Sequence, residues 1–372
     1  MTQLQWQWID NDADLATVCN ESRQGDYVAL DTEFVRTRTY HAKLGLVQLY
    51  NGKTLALIDP LAITDMTPLW QLLADESVVK VLHSASEDLE IFAQRGGVVP
   101  KPLFDSQVCG VLLNLGPAMG YGKLIQHYLD IELDKGESRT DWLRRPLSAA
   151  QLNYAAADVL YLYQIYPTML KAITEMNRLE WLWQEGERAC RGRLEPDQPE
   201  KAYLKVKNAW QLKPVQLAVL KSLAAWRLEV AQRKDLALSF VVKDAVLLNL
   251  AKRAPRSLSY LEQLEGLDVR TFQRYGKSML GAIARADVSN PPDNIDPTGL
   301  DPEFREAVAE VRERVLKLAQ EHQVQPEFMA SKKLVSQYVN YIWQDKFGKE
   351  PDLLQGWRGD ICAEPLAKLA LR

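Results

Sequence analysis

The spacing of apolar residues changes character along the chain. Tyr27-Val28-Ala29-Leu30-Asp31 is a short, nearly continuous apolar run and predicts a buried strand. Leu44 to Tyr50 and Thr54 to Ile58 predict two more, with a turn at Asn51-Gly52 between them. Val78 to Leu82 predicts a fourth strand, and Phe104 falls in a short fifth. Helical periods alternate with these strands: Ser84 to Gln94, closed by Gly96-Gly97, then residues 106–115, 122–129 and 148–175. The pattern is that of an α/β domain, a mixed sheet with flanking helices. Beyond about residue 200 the strand signal stops. Leu217, Leu220, Leu223 and Trp226 recur at helical spacing within residues 208–285. Asp287 to Pro302, with Asn290-Pro291-Pro292-Asp293-Asn294, reads as a linker, and residues 303–372 are helical again. Both helical parts carry a late Leu-x-Gly turn (Leu264-Glu265-Gly266 and Leu354-Gln355-Gly356), which suggests two copies of one module. The expected domains are 1–200, 201–288, a linker 289–302, and 303–372.

Composition adds two points. The chain has 372 residues, 47% of them apolar and 25% charged, as in an ordinary globular protein of more than one domain. The net charge of −4 conceals a division. Residues 201–285 hold 16 Lys and Arg against 6 Asp and Glu, whereas residues 1–200 hold 18 against 28. A basic module behind an acidic one is the electrostatic footprint of a phosphate-binding part, although a solvated charged surface explains it equally well. The cysteines (Cys19, Cys109, Cys190, Cys362) lie too far apart for a metal knuckle or redox pair. No signal sequence and no membrane span is legible, so a cytoplasmic protein is expected.

The chemistry lies in the carboxylates. Asp31 and Glu33 sit two apart at the end of the first predicted strand, so their side chains share a face. Alone the pair is common. Asp88 begins a helix, where an acid also suits the helix dipole, and Ser84 and Glu87 have capping-box spacing. Tyr154 and Asp158 stand four apart on a helix whose other residues, Ala155, Ala156, Ala157, Val159 and Leu160, are apolar. A carboxylate in such a helix is costly unless it is hydrogen-bonded, paired or bound to metal. His83 borders this group, while His41, His127 and His322 are isolated. No glycine loop ending Gly-Lys-Ser/Thr is present, which argues against a nucleoside-triphosphate motor.

Together, Asp-x-Glu on a strand, Asp on a later helix and Tyr-x3-Asp on a further helix resemble the DEDD exonuclease superfamily. The resemblance is to its tyrosine subclass, because the histidine of the other subclass would fall at Asn153. The stretches Leu30 to Tyr40, Leu44-Gly45-Leu46-Val47-Gln48-Leu49, His83 to Leu89 and Arg139 to Leu147 are similar to bacterial ribonuclease D. Residues 208–288 resemble the helicase-and-RNase-D C-terminal (HRDC) module, through Leu223 to Arg227, Leu250 to Pro255 and Arg274 to Lys277. Residues 300–372 resemble a second, divergent copy.

The resemblance implies a ribonuclease H-like nuclease domain followed by two all-α domains. It implies a 3′→5′ exoribonuclease that releases nucleoside 5′-monophosphates using two divalent ions, Mg²⁺ or Mn²⁺. Asp31, Glu33 and Asp158 would hold the ion that activates water, Asp31 and Asp88 would support the second, and Tyr154 would orient the water. The implied partners are RNAs with a free 3′ end, transfer-RNA precursors among them, held by the basic module. Tyr203 or Trp210 could stack on bases, with core packing the commoner role for such residues. Two rivals stay open at this level: a DNA 3′→5′ exonuclease, and an RNA-holding scaffold that has lost its chemistry.

Overall fold

The computed structural model describes residues 4–133, 136–137, 140–295, 301–343, 346 and 348–371. Arg139, in one of the motif stretches above, and residues 296–300 of the expected linker lie outside the described residues. The chain divides into two units. One comprises Met1–Val35, Lys43–Leu194 and Glu306–Arg372, and the other Arg36–Ala42 with Glu195–Arg305. The expected 303–372 module thus groups with the nuclease part, and a short segment from inside the nuclease sequence groups with the basic helices.

In the first unit the described residues form a six-stranded sheet in the order β1-β4-β3-β2-β5-β6. The strands are β1 Gln7–Ile9, β2 Tyr27–Val35, β3 Lys43–Tyr50, β4 Leu55–Ile58, β5 Val79–Leu82 and β6 Leu103–Asp105. β2, β3 and β4 are antiparallel neighbours, while β5 and β6 add to β2 in parallel and β1 adds to β4 in parallel. β1 has no counterpart among the expected strands. It has three residues, of which Ile9 is fully buried, and pairing with β4 rather than an alternating pattern makes it a strand. The hairpin turn forms at Asn51, whose side chain accepts the N–H groups of Lys53 (3.0 Å) and Thr54 (2.8 Å), with Gly52 at φ +88°.

The helices of this unit include α1 Asp12–Ser22, α2 Thr67–Ala74, α3 Ser86–Gly96, α4 Ser106–Leu112, α5 Tyr121–Leu129, α6 Ala149–Glu175 and α7 Leu179–Cys190. α6 runs for 27 residues from a capping box of Ser148 and Gln151. Its small residues Ala155 and Ala156, with Val159 and Leu162, pack on Ala29, Leu46, Leu57 and Val81 of the sheet. Two alanines in succession let the helix approach β2 closely, which brings Asp158 to the strand that carries Asp31 and Glu33.

The second unit has helices α8 Pro214–Lys234, α9 Leu238–Val241, α10 Asp244–Arg253, α11 Leu258–Glu262 and α12 Val269–Ala284. Leu217, Leu220, Leu223 and Trp226 are buried in its core with Leu247, Leu250, Leu261 and Met279. Tyr203 packs against this core, whereas Trp210 remains 40% exposed.

The C-terminal helices α13 Pro302–Glu321, α14 Pro326–Met329, α15 Lys332–Trp343 and α16 Gly356–Ala367 follow. They are joined to α7 by a buried network. Glu185 pairs with Arg358 and with Arg188 (2.7 Å), accepts the Trp357 indole N–H (3.0 Å), and Trp181 stacks on Trp357 at 4.6 Å. Arg178 donates to the carbonyls of His322 (2.8 Å) and Gln323 (3.0 Å). Arg358 and Glu185 are 2% and 3% exposed, so removing one partner strands the other charge. Arg358→Met is therefore expected to cost about 3–5 kcal/mol in urea denaturation, and the double variant with Glu185→Leu to cost less than Arg358→Met alone. A double variant as unstable as the sum of both single ones would show that the ion pair is not what joins these helices.

Candidate active site

Asp31 and Glu33 leave β2 on the face that α6 covers, since Ala29, of the same strand parity, packs in that core. Ligand oxygens of Asp31, Glu33 and Asp158 all lie within 4.8 Å of one another. Among the described residues no Lys, Arg or His forms an ion pair with any of the three. Glu33 and Asp158 are each 9% exposed. Burial, then the mutual repulsion of the group, pushes Glu33 up to about 10. Burial raises Asp158 to about 8, with the hydrogen bond from Tyr154 pulling the other way. Asp31 is held well above the usual carboxylate range by burial and then by Asp158.

Asp88 does not join that cluster. It comes from α3, is 6% exposed, and accepts a hydrogen bond from the hydroxyl of Thr32. Thr32 lies between Asp31 and Glu33 and so faces the opposite side of the strand. Burial and then Asp31 raise the Asp88 carboxyl, so it stays electrostatically linked to the cluster. The expected capping box at Ser84 and Glu87 does not form. Ser84 takes φ +57°, and the Asp105 carboxylate at the end of β6 accepts the N–H groups of Ser84 (3.0 Å) and Ala85 (2.9 Å). A side chain from a neighbouring strand replaces the local cap and sets the start of the helix that carries Asp88.

Tyr154 hydrogen-bonds Asp158. Burial, then Asp158, Glu33 and Asp31, raise its hydroxyl above the ordinary tyrosine value, so it remains protonated at neutral pH. Its ring lies 6.2 Å from that of the fully buried Trp142. The position of Trp142 depends on Gly45. The register steps from Glu33↔Leu46 to Phe34↔Leu44, which leaves Gly45 as the extra residue of a β-bulge directly after Glu33. A Cβ there would stand 2.6 Å from the Trp142 carbonyl oxygen. Arg145 completes the support by pairing with Asp59 through Nε (2.8 Å) and Nη2 (2.6 Å) and donating to the Gly45 carbonyl at 2.6 Å. The Trp142 to Leu147 stretch is thus a brace for Tyr154.

A cavity of about 110 Å³ opens at the site, lined by Asp31, His83, Tyr121, Tyr154, Asp158 and Leu162. His83 has its Nδ1 2.9 Å from the Ser106 hydroxyl, and burial lowers its pKa. Tyr121 donates to the main-chain oxygens of Ala157 (3.1 Å) and Asp158, tying α5 to the turn that presents Asp158. Sequence reasoning passed over Tyr121, Thr32 and Gln48. Gln48 pairs directly opposite Asp31, is fully buried, and makes no protein hydrogen bond through its amide. A polar residue inside the apolar run Leu44 to Tyr50 was the available signal.

An all-oxygen cluster without a cation fits hard divalent ions and little else. Family models match the exonuclease part and both helical parts: 3′-5′ exonuclease over residues 6–174, HRDC domain over 216–283, and the C-terminal HRDC domain of ribonuclease D over 302–366. Ribonuclease D of Shewanella sp. (strain ANA-3) is 47% identical over 364 residues, 98% of this chain and 94% of that one. The chain belongs to the ribonuclease D family. Ribonuclease D of Escherichia coli (strain K12) is 40% identical, covering 98% of both chains. The crystal structure of Escherichia coli RNase D, described as an exoribonuclease involved in structured RNA processing, superposes with a TM-score of 0.94 over 98% of each chain at 38% identity. The catalytic core of RRP6 from Trypanosoma brucei, at 22% identity and a TM-score of 0.61, shares the fold. The protein is a 3′→5′ exoribonuclease, which decides between the RNA and DNA readings. Among the described residues no helix is long and apolar enough to cross a membrane.

Two outcomes follow from this geometry. Gly45→Ala forces the Trp142 main chain away and is expected to lower kcat by about ten- to a hundredfold with the fold retained. An unchanged kcat would mean that the brace does not position Tyr154. The second concerns protons. Glu33 and Asp158 titrate higher in the native state than in the unfolded chain, so the metal-free native state binds more protons. Its stability therefore falls as pH rises from about 4 through the range of about 8 to 10. A divalent ion bound at these carboxylates would displace those protons, so calorimetric affinity for Mn²⁺ should be tighter at about pH 8 than at about pH 6, with protons released. Asp158→Asn should raise the melting temperature of the metal-free protein at about pH 8 by a few degrees and remove the rise that Mn²⁺ confers. A metal-free Asp158→Asn protein that melts lower would contradict the repulsion.

Proposed function

We propose that the carboxylate cluster is a divalent-metal exonuclease centre that trims the 3′ ends of transfer-RNA precursors and other small structured RNAs in the cytoplasm. The observation that carries this reading is the convergence of Asp31, Glu33 and Asp158, with Tyr154 hydrogen-bonded to Asp158, in a buried cluster that no cation neutralises. Asp31, Glu33 and Asp158 would hold one Mg²⁺ or Mn²⁺, and Asp31, with Asp88 acting through water, would support a second. Such ions lower the pKa of water and offset charge on the leaving 3′ oxygen.

The protein's own groups do the rest. Tyr154 keeps its proton and orients the attacking water through its hydroxyl. It acts by positioning, because a hydroxyl held above its ordinary pKa is a poor general base near neutrality. Thr32 fixes the Asp88 carboxylate, and Tyr121 fixes the α6 turn at Asp158. Cleavage of the terminal phosphodiester at this centre releases a nucleoside 5′-monophosphate. The domains are assigned as nuclease 1–200, basic HRDC module 201–288 for holding RNA, linker 289–302, and a second divergent module 303–372.

The test uses 5′-labelled single-stranded RNA with Mg²⁺, beside an Asp158→Asn variant and an EDTA control. The expected result is a ladder shortening from the 3′ end, absent from both controls, with kcat of Asp158→Asn reduced by about 10³-fold or more. Equal trimming by the variant would remove Asp158 from the centre. A transfer-RNA precursor trimmed no faster than an unstructured RNA of equal length would remove the proposed substrate while leaving the enzyme.

A further inference from the structure

A second chemically distinctive cleft lies within the second unit. It measures about 700 Å³, in the range of ligand-binding clefts. Five cations line it, Arg36, Lys205, Lys207, Arg227 and Lys243, against two carboxylates, Asp197 and Asp244. Both carboxylates are engaged internally. Asp244 accepts from Arg227 Nη1 (2.7 Å) and the Lys207 N–H (3.0 Å). Asp197 accepts from the Tyr40 hydroxyl and Gln232 (3.3 Å), with Lys205 at 3.8 Å. Arg227 is 5% exposed, and its buried Nε makes no hydrogen bond. Lys207 and Lys243 are exposed and form no ion pair among the described residues.

One wall is the segment Arg36–Ala42, which folds with this unit. The Ala237 N–H donates to the Arg38 carbonyl (2.8 Å), the His41 N–H donates to Asp235 (3.1 Å), and Tyr40 packs against the core. Thr37, Thr39 and Ser239 bring hydroxyls to the cleft. Beside it, Phe240 is 51% exposed with the Arg38 guanidinium 5.9 Å from its ring centre, a surface on which a base can stack.

We propose that this cleft is a backbone-binding subsite for the substrate RNA, taking phosphodiesters of the strand outside the metal centre, with Lys207 and Lys243 as its cationic contacts. The proposal rests on the exonuclease reading for the identity of the polyanion. Cations and hydroxyls spread around a cleft of this volume suit a sugar-phosphate chain better than a single small anion, which one compact cradle would hold.

The test uses the full chain carrying Asp158→Asn, in EDTA, with 5′-labelled RNA that has a single-stranded 3′ tail. Affinity is measured against salt for this parent, for Lys207→Gln with Lys243→Gln, and for a control, Lys252→Gln with Arg253→Gln, that removes equal charge from exposed positions of the same unit. The cleft pair should lower the slope of log affinity against log salt by about 1.5, and the control by much less. An unchanged slope, or an equal fall in both, overturns the subsite. Inorganic phosphate provides a separate arm. If the cleft pair abolishes phosphate binding and leaves the RNA slope intact, the cleft belongs to a free anion and the proposal fails. In the active protein, the cleft pair should raise KM for long RNA several-fold and leave hydrolysis of a 5′-labelled dinucleotide unchanged. Loss of dinucleotide hydrolysis in the unsubstituted protein would instead defeat the exonuclease reading.

Discussion

Asp31, Glu33 and Asp158 are crowded together, largely out of water and without a counter-charge, and the nuclease unit is arranged around that constraint. Charges of one sign at such separations repel, and burial magnifies the repulsion. Left free, the side chains would rotate apart or take up protons. The fold prevents the first by placing two of them on one face of a central strand and the third on a helix whose alanines let it press against that strand. The protonation that remains is reversible, which is the useful response for a site that must exchange protons for divalent ions.

The tyrosine beside the carboxylates is held as firmly as they are. Tyr154 obtains its position from Trp142, Trp142 lies against Gly45, and Arg145 ties the same stretch to Asp59 and to the Gly45 carbonyl. The bulge at Gly45 therefore has two consequences. It shifts the register of β2 and β3 directly after Glu33, and it clears the space into which the brace fits. Placing a site on a strand and a helix, with a packed second layer, gives more precision than a surface loop would.

The central strands, the long helix α6 and the residues that the structure brings together, Asp31, Glu33, Tyr154 and Asp158, each leave a local trace in the sequence. Strands β2 and β3 are apolar runs, and Tyr154 and Asp158 are polar interruptions of an apolar helix. What escaped depends on partners distant in the chain. β1 is a strand only because β4 offers it an edge. Ser84 and Glu87 have capping-box spacing, yet Asp105, from another strand, takes over the cap. Thr32 looks like an ordinary strand residue until α3 brings Asp88 to it. Tyr121 and Gln48 acquire meaning only from what faces them. The membership of Arg36–Ala42 in the basic unit, and of residues 306–372 in the nuclease unit, likewise rests on contacts that no local pattern encodes.

Charge division explains why the chain needs a second unit at all. A cluster of carboxylates repels the very phosphodiesters it must cleave, and bound ions relieve this only at the point of reaction. Attraction for the rest of the RNA has to come from cations kept clear of the cluster, where they would otherwise pair with it and exclude metal. Residues 201–285 carry 16 basic against 6 acidic residues, the charge that such attraction requires. Their reach is limited by screening to about 8–10 Å in physiological salt, so they must meet the RNA directly rather than act from afar. Arg36–Ala42 follows without a break from the strand that bears Asp31 and Glu33, and it forms one wall of the basic cleft. Covalent continuity therefore runs from the strand that carries the carboxylates directly into the basic unit.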